Sequence, residues 1–288
     1  MSANPIPTQA TEAQPRKPGM SRTQKLLFFL TAWLICLMPF LFWWNTWFGR
    51  RLSDQQLTEY LHDTKKPRHI QQALVQVGER ITRHDATATQ WYPQLVQLAA
   101  DPVEEVRNTD AWVMGQDPSG AGFHAILLKM LTDPSHMVRG NAALSLVRFG
   151  DASGRPQILA LLQPAQIVSP ESGRIVDSDR PGTPVHQGGL IAKLAYGHEQ
   201  TAEIRSPIPG RIRSVAGTGA NIAAGAEIAV IDPANEQVWE ALRALYLIGQ
   251  PEDLPALRPY ERDLPDVSND VRRQAQETEQ AIRKRSGS

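Results

Sequence analysis

Few residue types that support catalysis are present, and their spacing forms no recognised site. The seven histidines are scattered, and none forms a His-x-x-x-His or His-x-His pair. Zinc sites need ligands at such close spacings. The single cysteine, Cys36, excludes an internal disulfide framework and a cysteine-based zinc site. A Gly-x-Ser-x-Gly nucleophile elbow and a glycine-rich phosphate loop before a helix are also absent. The sequence therefore predicts a protein that is not an enzyme.

A set of polar residues in segment 165–231 could instead form an interaction surface. Four of them are arginines on predicted strands: Arg174, Arg205, Arg211 and Arg213. Strand alternation places Arg211 and Arg213 on one face, where they could meet lipid headgroups or an acidic partner. His198 and Glu199 lie together at a turn and could bind an ion or a partner. A solvated outer face and a solvated turn are the simpler interpretations of both groups.

Composition narrows the classes of partner. The chain has 288 residues, enough for roughly two domains. Lys and Arg number 30, and Asp and Glu also number 30. This balance lacks the basic excess of a nucleic-acid-binding protein, so we expect no nucleic acid among the partners.

The N-terminal part has the composition of a membrane anchor. Residues 1–24 are polar and rich in proline, which predicts a disordered tail. Residues 26–44 carry no charge, and Trp47 and Phe48 follow. Such a run is long enough to cross a bilayer and ends in an aromatic belt. We therefore expect a transmembrane helix at 25–48. Basic residues flank both of its sides, and the short basic tail favours a cytoplasmic N-terminus.

Helical periodicity follows, and it repeats. Ser53 and Gln56 have the spacing of a capping box that opens a helix. Asp101-Pro102 is followed by Val106-Arg107, and Asp133-Pro134 is followed by Val138-Arg139, at a spacing of 32 residues. Each unit is a helical hairpin that must stack on its neighbours to bury its apolar face. The pattern resembles HEAT repeats of the kind found in bilin-lyase-like arrays, and it predicts a helical solenoid over 53–164.

Segment 165–231 has strand composition and contains a second, different repeat. The letters SPESGRI at 169–175 match SPIPGRI at 206–212, an offset of 37 residues. At the same offset Gly182 corresponds to Gly219 and Val185 to Ile222. Two copies of a strand and glycine-turn pattern predict a β sandwich with pseudo-twofold symmetry.

This segment resembles the biotinyl/lipoyl-type barrel-sandwich hybrid, including the version found in membrane-fusion (periplasmic adaptor) proteins. That resemblance implies a cofactor-bearing lysine at the hairpin tip, but the corresponding position falls on His198 or Glu199. The nearest lysine, Lys193, is several residues back on a strand. We therefore expect no attached cofactor. About ten residues join the two halves, whereas many adaptors insert a long coiled-coil hairpin there.

Helices return at 232–285. Asp232-Pro233 lies 99 residues after Asp133-Pro134, and removal of the 67 residues 165–231 restores a spacing of 32. The β segment is therefore interpreted as an insertion into the helical array. A last helix is expected at about 268–284, with an apolar stripe of Val271, Ala275, Thr278 and Ile282. Trp112 and Trp239 could be binding anchors, but helical aromatic residues are more often part of the core, so they are interpreted as core residues of the array.

Together these patterns predict an α+β protein with a transmembrane helix, a HEAT-like solenoid and an inserted barrel-sandwich hybrid. We expect a single-pass protein of the bacterial inner membrane, with a cytoplasmic N-terminus and a periplasmic body. Its expected role is a non-enzymatic adaptor that binds protein partners, such as transporter components, at the membrane; homo-oligomers are left open. The alternative is an accessory of a HEAT-type lyase, or a cofactor-carrier module that acts with a partner enzyme.

Overall fold

A computed structural model describes residues 21–45, 51–197, 200–262 and 266–287 of the chain. The contacts within the chain divide it into two compact units, Met1–Arg51 and Leu52–Ser288. The first contains helix α1 (Arg22–Asn45). Most of the predicted disordered tail, residues 1–20, and residues 46–48 of the predicted membrane anchor lie outside the described residues.

The predicted transmembrane helix at 25–48 is wrong for the part of the chain that the structure describes. Among those residues, no helix combines the length and the apolar character that crossing a membrane requires. Helix α1 has two charged residues, Arg22 and Lys25, in its first turn. The predicted location, as a single-pass protein of the bacterial inner membrane, depended on this helix and is wrong for the same residues.

The second unit is built from short helices joined by tight turns. Its α-helices in the described ranges are α2 (Asp54–Leu61), α3 (Pro67–Thr82), α4 (Tyr92–Leu98), α5 (Glu104–Met114), α6 (Phe123–Met130), α7 (His136–Arg148), α8 (Arg155–Leu161), α9 (Asn235–Ile248), α10 (Leu254–Leu257) and α11 (Asn269–Ser286). Three 3₁₀ helices are interspersed at Ala86–Trp91, Pro251–Asp253 and Arg258–Tyr260. The predicted capping box is confirmed, since the Ser53 side chain accepts from the Gln56 N–H and the Gln56 side chain accepts from the Ser53 N–H.

The repeated Asp-Pro and Val-Arg residues shape the turns before α5 and α7. Arg107 donates through NH1 to the Asp101 carbonyl oxygen at 2.8 Å, and Arg139 makes the same bond to the Asp133 carbonyl oxygen at 2.7 Å. Arg107 also donates through Nε to Asp133 Oδ2 at 2.7 Å, which joins one repeat to the next. Burial by itself would raise the pKa of Asp133, but hydrogen bonds from Arg107 and Ser135 lower it overall.

Alternate helices lie side by side and enclose two apolar cores. Helices α3, α5, α7, α9 and α11 contact one another in that order. The first core extends from α2 to α7, and the second is formed mainly by α7, α8, α9 and α11. The apolar stripe predicted on the last helix is confirmed, because Val271, Ala275, Thr278 and Ile282 are the buried residues of α11. Burying one face of each helix is what makes a stack of such repeats stable.

A segment that we call the β module separates α8 from α9, and it has eight strands in the described ranges. They are β1 (Ala165–Val168), β2 (Gly173–Ser178), β3 (Pro184–Val185), β4 (Leu190–Tyr196), β5 (Gln200–Arg205), β6 (Gly210–Val215), β7 (Asn221–Ile222) and β8 (Glu227–Pro233). They form two antiparallel sheets, ordered β1-β8-β6-β3 and β5-β4-β2-β7. Replacing β1–β4 by β5–β8, strand for strand, converts one of these orders into the other. The first residues of β2 and β6, Gly173 and Gly210, are 37 residues apart, which is the offset of the sequence repeat.

The side-chain bonds of the β module follow the same offset. Ser169 Oγ donates to the Glu171 carbonyl oxygen at 2.6 Å, and Ser206 Oγ donates to the Ile208 carbonyl oxygen at 2.6 Å. The two sheets share one apolar core. The predicted fold class is nevertheless wrong in its β part as well as in its anchor. No strand pairing among the described residues joins the sheets into a closed barrel, so this is a helical repeat fold with two small antiparallel sheets.

The β module leaves and re-enters the helical array at nearly one point. Ala165 on β1 pairs directly with Ile231 on β8. The module also contacts the array, since Gln187 donates to Glu104 at the start of α5 and Met137 of α7 packs against the β core. The helices on either side are thus free to stack as though the insertion were absent.

Candidate functional site

The predicted arginine surface is divided between the two sheets. Arg174 on β2 and Arg205 on β5 belong to one sheet, whereas Arg211 and Arg213 on β6 belong to the other. All four side chains are exposed. Arg211 and Arg213 lie on either side of the buried Ile212, as strand alternation predicts. His198 and Glu199 lie outside the described residues.

Three of these arginines already have acidic partners. Arg213 donates through Nε to Asp232 Oδ2 at 3.1 Å, Arg205 donates through Nε to Glu203 Oε2 at 3.1 Å, and the Arg211 guanidinium lies 3.4 Å from Asp266 Oδ1. The bond with Asp232 raises the pKa of Arg213. Arg174 donates to the Gly219 carbonyl oxygen at 3.2 Å. The four residues are therefore spread out and mostly neutralised.

The clearest concave surface lies on the helical array instead. It is an open groove of about 770 Å³ across α5, α7, α9 and α11. We call this surface the groove; its lining residues are Trp112, Asn141, Leu144, Ser145, Val147, Arg148, Glu240, Arg243, Ala244, Tyr246, Leu247, Gln274, Glu277, Gln280, Ala281 and Lys284. Four helices set side by side create this continuous surface, to which α5 contributes one residue and α7, α9 and α11 contribute five each.

Hydrogen bonds between neighbouring helices fix the groove. Asn141 Nδ2 on α7 donates to Asn108 Oδ1 on α5 at 2.8 Å. Ser145 Oγ donates to the Ala111 carbonyl oxygen at 2.8 Å. On the other side, Thr278 Oγ1 of α11 donates to the Leu242 carbonyl oxygen of α9 at 3.0 Å. These bonds hold the helices in register, so the groove is formed before any partner arrives.

An arginine of α11 caps the C-terminus of α9, one of the helices that line the groove. Arg285 of α11 donates to the carbonyl oxygens of Gly249, at 2.9 Å, and of Tyr246. These carbonyls are at the C-terminus of α9, where no intrahelical donor is available. The cation also complements the negative end of the helix dipole. Arg285 thereby fixes the α9 turn that carries Tyr246 and Leu247.

Large apolar side chains are exposed in the groove. Trp112 is 40% exposed, Tyr246 43% and Leu247 61%. The Trp112 ring lies over Gly78 of α3, where an added Cβ would meet Trp112 at 2.9 Å. Exposed apolar surface of this kind, rimmed by polar residues, marks sites where another molecule binds.

Both cations and carboxylates line the groove. Arg243 lies 3.6 Å from Glu240 and stacks on the Trp239 ring, with the guanidinium carbon 4.5 Å from the ring centre. Arg148 NH1 donates to the neutral Gln116 Oε1 at 2.7 Å. Within the described part of the chain, neither Arg148 nor Lys284 forms an ion pair with a carboxylate.

Sequence reasoning missed this site. It favoured core positions over binding anchors for Trp112 and Trp239, whereas Trp112 is 40% exposed in the groove and Trp239 is half-buried, between the second apolar core and Arg243. Helical spacing within α9 and α11 could have identified Leu247 and Lys284 as residues on an outer face. Nothing in the spacing identified which helices would be neighbours. Among the described residues, no group of three or more His, Cys, Asp or Glu side chains could hold a metal ion.

Comparison with known proteins supports the repeat part of the fold. A family model described as HEAT repeat matches residues 125–153, which include most of α6 and all of α7. The chain is similar to the designed armadillo repeat protein YIII(Dq)4CqI, with 16% identity, a TM-score of 0.40 and coverage of 78% of this chain and 80% of that one. A second likeness is the designed armadillo repeat protein YIII(Dq.V1)4CPAF in complex with peptide (KR)4, with 17% identity, a TM-score of 0.39 and the same coverages. No curated protein matches the chain.

The HEAT part of the resemblance inferred from the Asp-Pro and Val-Arg repeat is thereby supported over residues 125–153, which contain the second of the two repeats. Stacked helical repeats of this type form extended surfaces.

Proposed function

We propose that this protein is a non-enzymatic scaffold whose groove binds an extended segment of a partner protein. The observation that carries the proposal is the clustering of exposed apolar side chains. Six large apolar residues are exposed in the described part of the second unit, and three of them, Trp112, Tyr246 and Leu247, line the groove. An aromatic anchor in a pre-formed surface is a favourable binding determinant, because little conformational entropy is lost.

The polar residues of the groove fit the same role. Asn141, Gln274 and Gln280 carry amide groups that both donate and accept hydrogen bonds. An extended peptide backbone presents donors and acceptors that need such partners when its solvent is displaced.

We assign the β module, residues 165–231, to an inserted docking element. The pairing of Ala165 with Ile231 and the contact of Gln187 with Glu104 support this assignment. The carrier alternative is not favoured, since Lys193 lies within β4, in register with Asp177 on one side and Glu203 on the other. Ligases that attach cofactors modify an exposed lysine at a turn.

Site-specific photocrosslinking in the native host tests the proposal. A photoreactive phenylalanine analogue placed at Leu247 should give a covalent protein adduct of defined mass. The same analogue at Lys129, an exposed residue of α6 outside the groove, is the matched control. An adduct formed equally from Lys129, or no adduct from Leu247, would contradict binding through the groove.

A further inference from the structure

Among the described residues, two cations of the groove have no carboxylate partner, and both lie at helix C-termini. Arg148 is the last residue of α7, and Lys284 is in the last turn of α11. Arg243 is different, because Glu240 lies 3.6 Å away and Trp239 shields one face of its guanidinium. We call Arg148 and Lys284 the basic edge of the groove.

The groove is polarised along its helices. Its exposed carboxylates, Glu240 and Glu277, lie one to two turns nearer the helix N-termini than the basic edge does. Arg243 neutralises Glu240, which leaves Glu277 as the one lining carboxylate without an ion pair in the described residues. A partner that lies along the C-terminal side of the groove therefore meets two unneutralised cations and no free carboxylate.

Leu247 lies between the two cations. It is on α9, which contacts both α7 and α11. Neighbouring helix axes are about 8–10 Å apart, so the two cations are separated by roughly 16–20 Å. An extended chain advances about 3.3 Å per residue, so roughly five or six residues bridge that distance. Trp112, on α5, continues the line beyond Arg148.

Resting on the proposed function, we infer that the partner is an acidic extended segment of defined pattern. It carries two Asp or Glu side chains five or six residues apart, which bind Arg148 and Lys284. An apolar side chain between them covers Leu247, and a second apolar side chain beyond the Arg148-binding acid covers Trp112. The apolar contacts supply affinity, and the two charges fix position and direction along the groove.

Selection from a phage-displayed library of random 12-residue peptides tests this inference with the full chain as bait. Selected peptides should be enriched in acidic residues at that spacing, with an apolar residue between them. The leading peptide is made synthetically with a fluorescent label, and its binding is measured by fluorescence anisotropy. Its affinity should fall as salt is added. Arg148→Gln and Lys284→Gln should each weaken binding about fivefold, the upper range for one exposed ion pair.

Two controls separate the inference from the proposed function. Lys129→Gln, outside the groove, should leave binding unchanged, and Leu247→Asp should abolish it. If the selected peptides do not bind the Leu247→Asp protein but show no acidic enrichment, or bind both Gln variants as tightly as the unmodified protein, the inference of an acidic partner is wrong. The groove then remains the binding site. Peptides that tolerate Leu247→Asp would overturn the groove itself. Circular dichroism checks folding, and either Gln variant alone suffices if the other fails to fold.

Discussion

Arg155 and Asp253, 98 residues apart in the chain, form an ion pair in which one guanidinium nitrogen contacts both carboxylate oxygens. Arg155 NH1 donates to Asp253 Oδ1 at 2.8 Å and to Oδ2 at 3.0 Å. Arg155 opens α8, immediately before the β module, and Asp253 ends the 3₁₀ helix that follows α9. The Asp253 side chain is only 3% exposed, and its Oδ2 also accepts the Gln250 N–H at 2.8 Å. The pair therefore joins the two parts of the helical array across the insertion.

Removing one member of this pair should destabilise the protein strongly. Arg155→Met leaves the buried Asp253 carboxylate without its counterion, and such losses typically destabilise a protein by about 3–5 kcal/mol. Urea denaturation followed by circular dichroism measures the change in free energy of unfolding. Arg213→Met is the matched control, because its pair with Asp232 is largely exposed and should contribute about 0–1 kcal/mol. Equal losses in the two variants would contradict the joining role of Arg155.

The β module should be removable. We expect that replacing 165–231 with four Gly/Ser residues leaves a helical circular dichroism spectrum and a cooperative thermal transition. The ends that must be joined are next to the cross-strand partners Ala165 and Ile231, whose Cα atoms are about 5 Å apart. Closing such a short gap has a small entropic cost.

The helices on either side of the gap keep their own contacts after this excision. Gln237 Nε2 donates to the Leu161 carbonyl oxygen at 2.9 Å, and Tyr260 OH donates to the Leu162 carbonyl oxygen at 2.5 Å. The excision removes the hydrogen bond from Gln187 to Glu104 and the β-module residues that pack on Met137. It should therefore lower the transition temperature without removing cooperativity. A broad, non-cooperative transition would show that the array needs the β module for its own core.

The repeats of this fold could be predicted because their determinants are local. Arg107 bonds to a carbonyl only six residues before it, so the Asp-Pro and Val-Arg pattern marks each turn in the sequence. The 37-residue repeat of the β module was equally visible, since both copies need the same turns and buried residues. That the two sheets do not close into a barrel could not be predicted, because closure depends on pairing between strand edges, which composition does not specify.

The groove could not be predicted, because its residues come from helices far apart in sequence. Arg148 and Leu247 become neighbours only after the β module is looped out between α8 and α9. Trp112 looked like core because it follows a buried helical pattern. It is exposed because its side of α5 faces the groove, where no further helix layer covers it.

Gly210 should be intolerant of any side chain. An added Cβ would meet the Asp232 carbonyl oxygen of the neighbouring strand β8 at less than van der Waals separation. The corresponding Gly173 has the same relation to the Ala195 carbonyl oxygen, which explains why both copies of the repeat carry glycine there. We expect Gly210→Ala to lower the free energy of unfolding by about 1–3 kcal/mol, the usual range for overpacking.

Gly217 provides the control for this substitution. A Cβ at Gly217 meets nothing within 4 Å, and its backbone does not need the left-handed conformation. Gly217→Ala should be neutral or stabilise the protein by up to about 1 kcal/mol, because it restricts the unfolded chain. Urea denaturation of both variants checks the pair, and a Gly210→Ala protein as stable as Gly217→Ala would contradict the close approach of β6 and β8.

Asp110 should make the stability of the array fall as pH rises. The side chain is fully buried on α5, on the face that also carries Val106, Val113 and Met114, and neither carboxyl oxygen has a hydrogen-bond partner among the described residues. Burial raises the pKa of Asp110 well above its usual value, and the charge of Asp101 raises it further. Above pH ~4 the unfolded chain releases this proton, whereas the folded protein keeps it. The unfolded state then binds fewer protons, so each step up in pH towards the folded pKa favours unfolding.

Asp110→Asn removes this titration with little change in shape. At pH 8 its free energy of unfolding should exceed that of the unmodified protein, by about 1.4 kcal/mol for each pH unit over which the unfolded chain has lost the proton and the folded protein has kept it. The difference should shrink towards pH 4, where both states of the unmodified protein hold the proton. Asp133 and other carboxyls with lowered pKa are common to both proteins, so their opposite pH dependence cancels in the comparison. Urea denaturation from pH 4 to pH 8 measures the difference, with the exposed Asp177→Asn as control. A difference that stayed constant with pH would show that Asp110 does not carry the titrating proton.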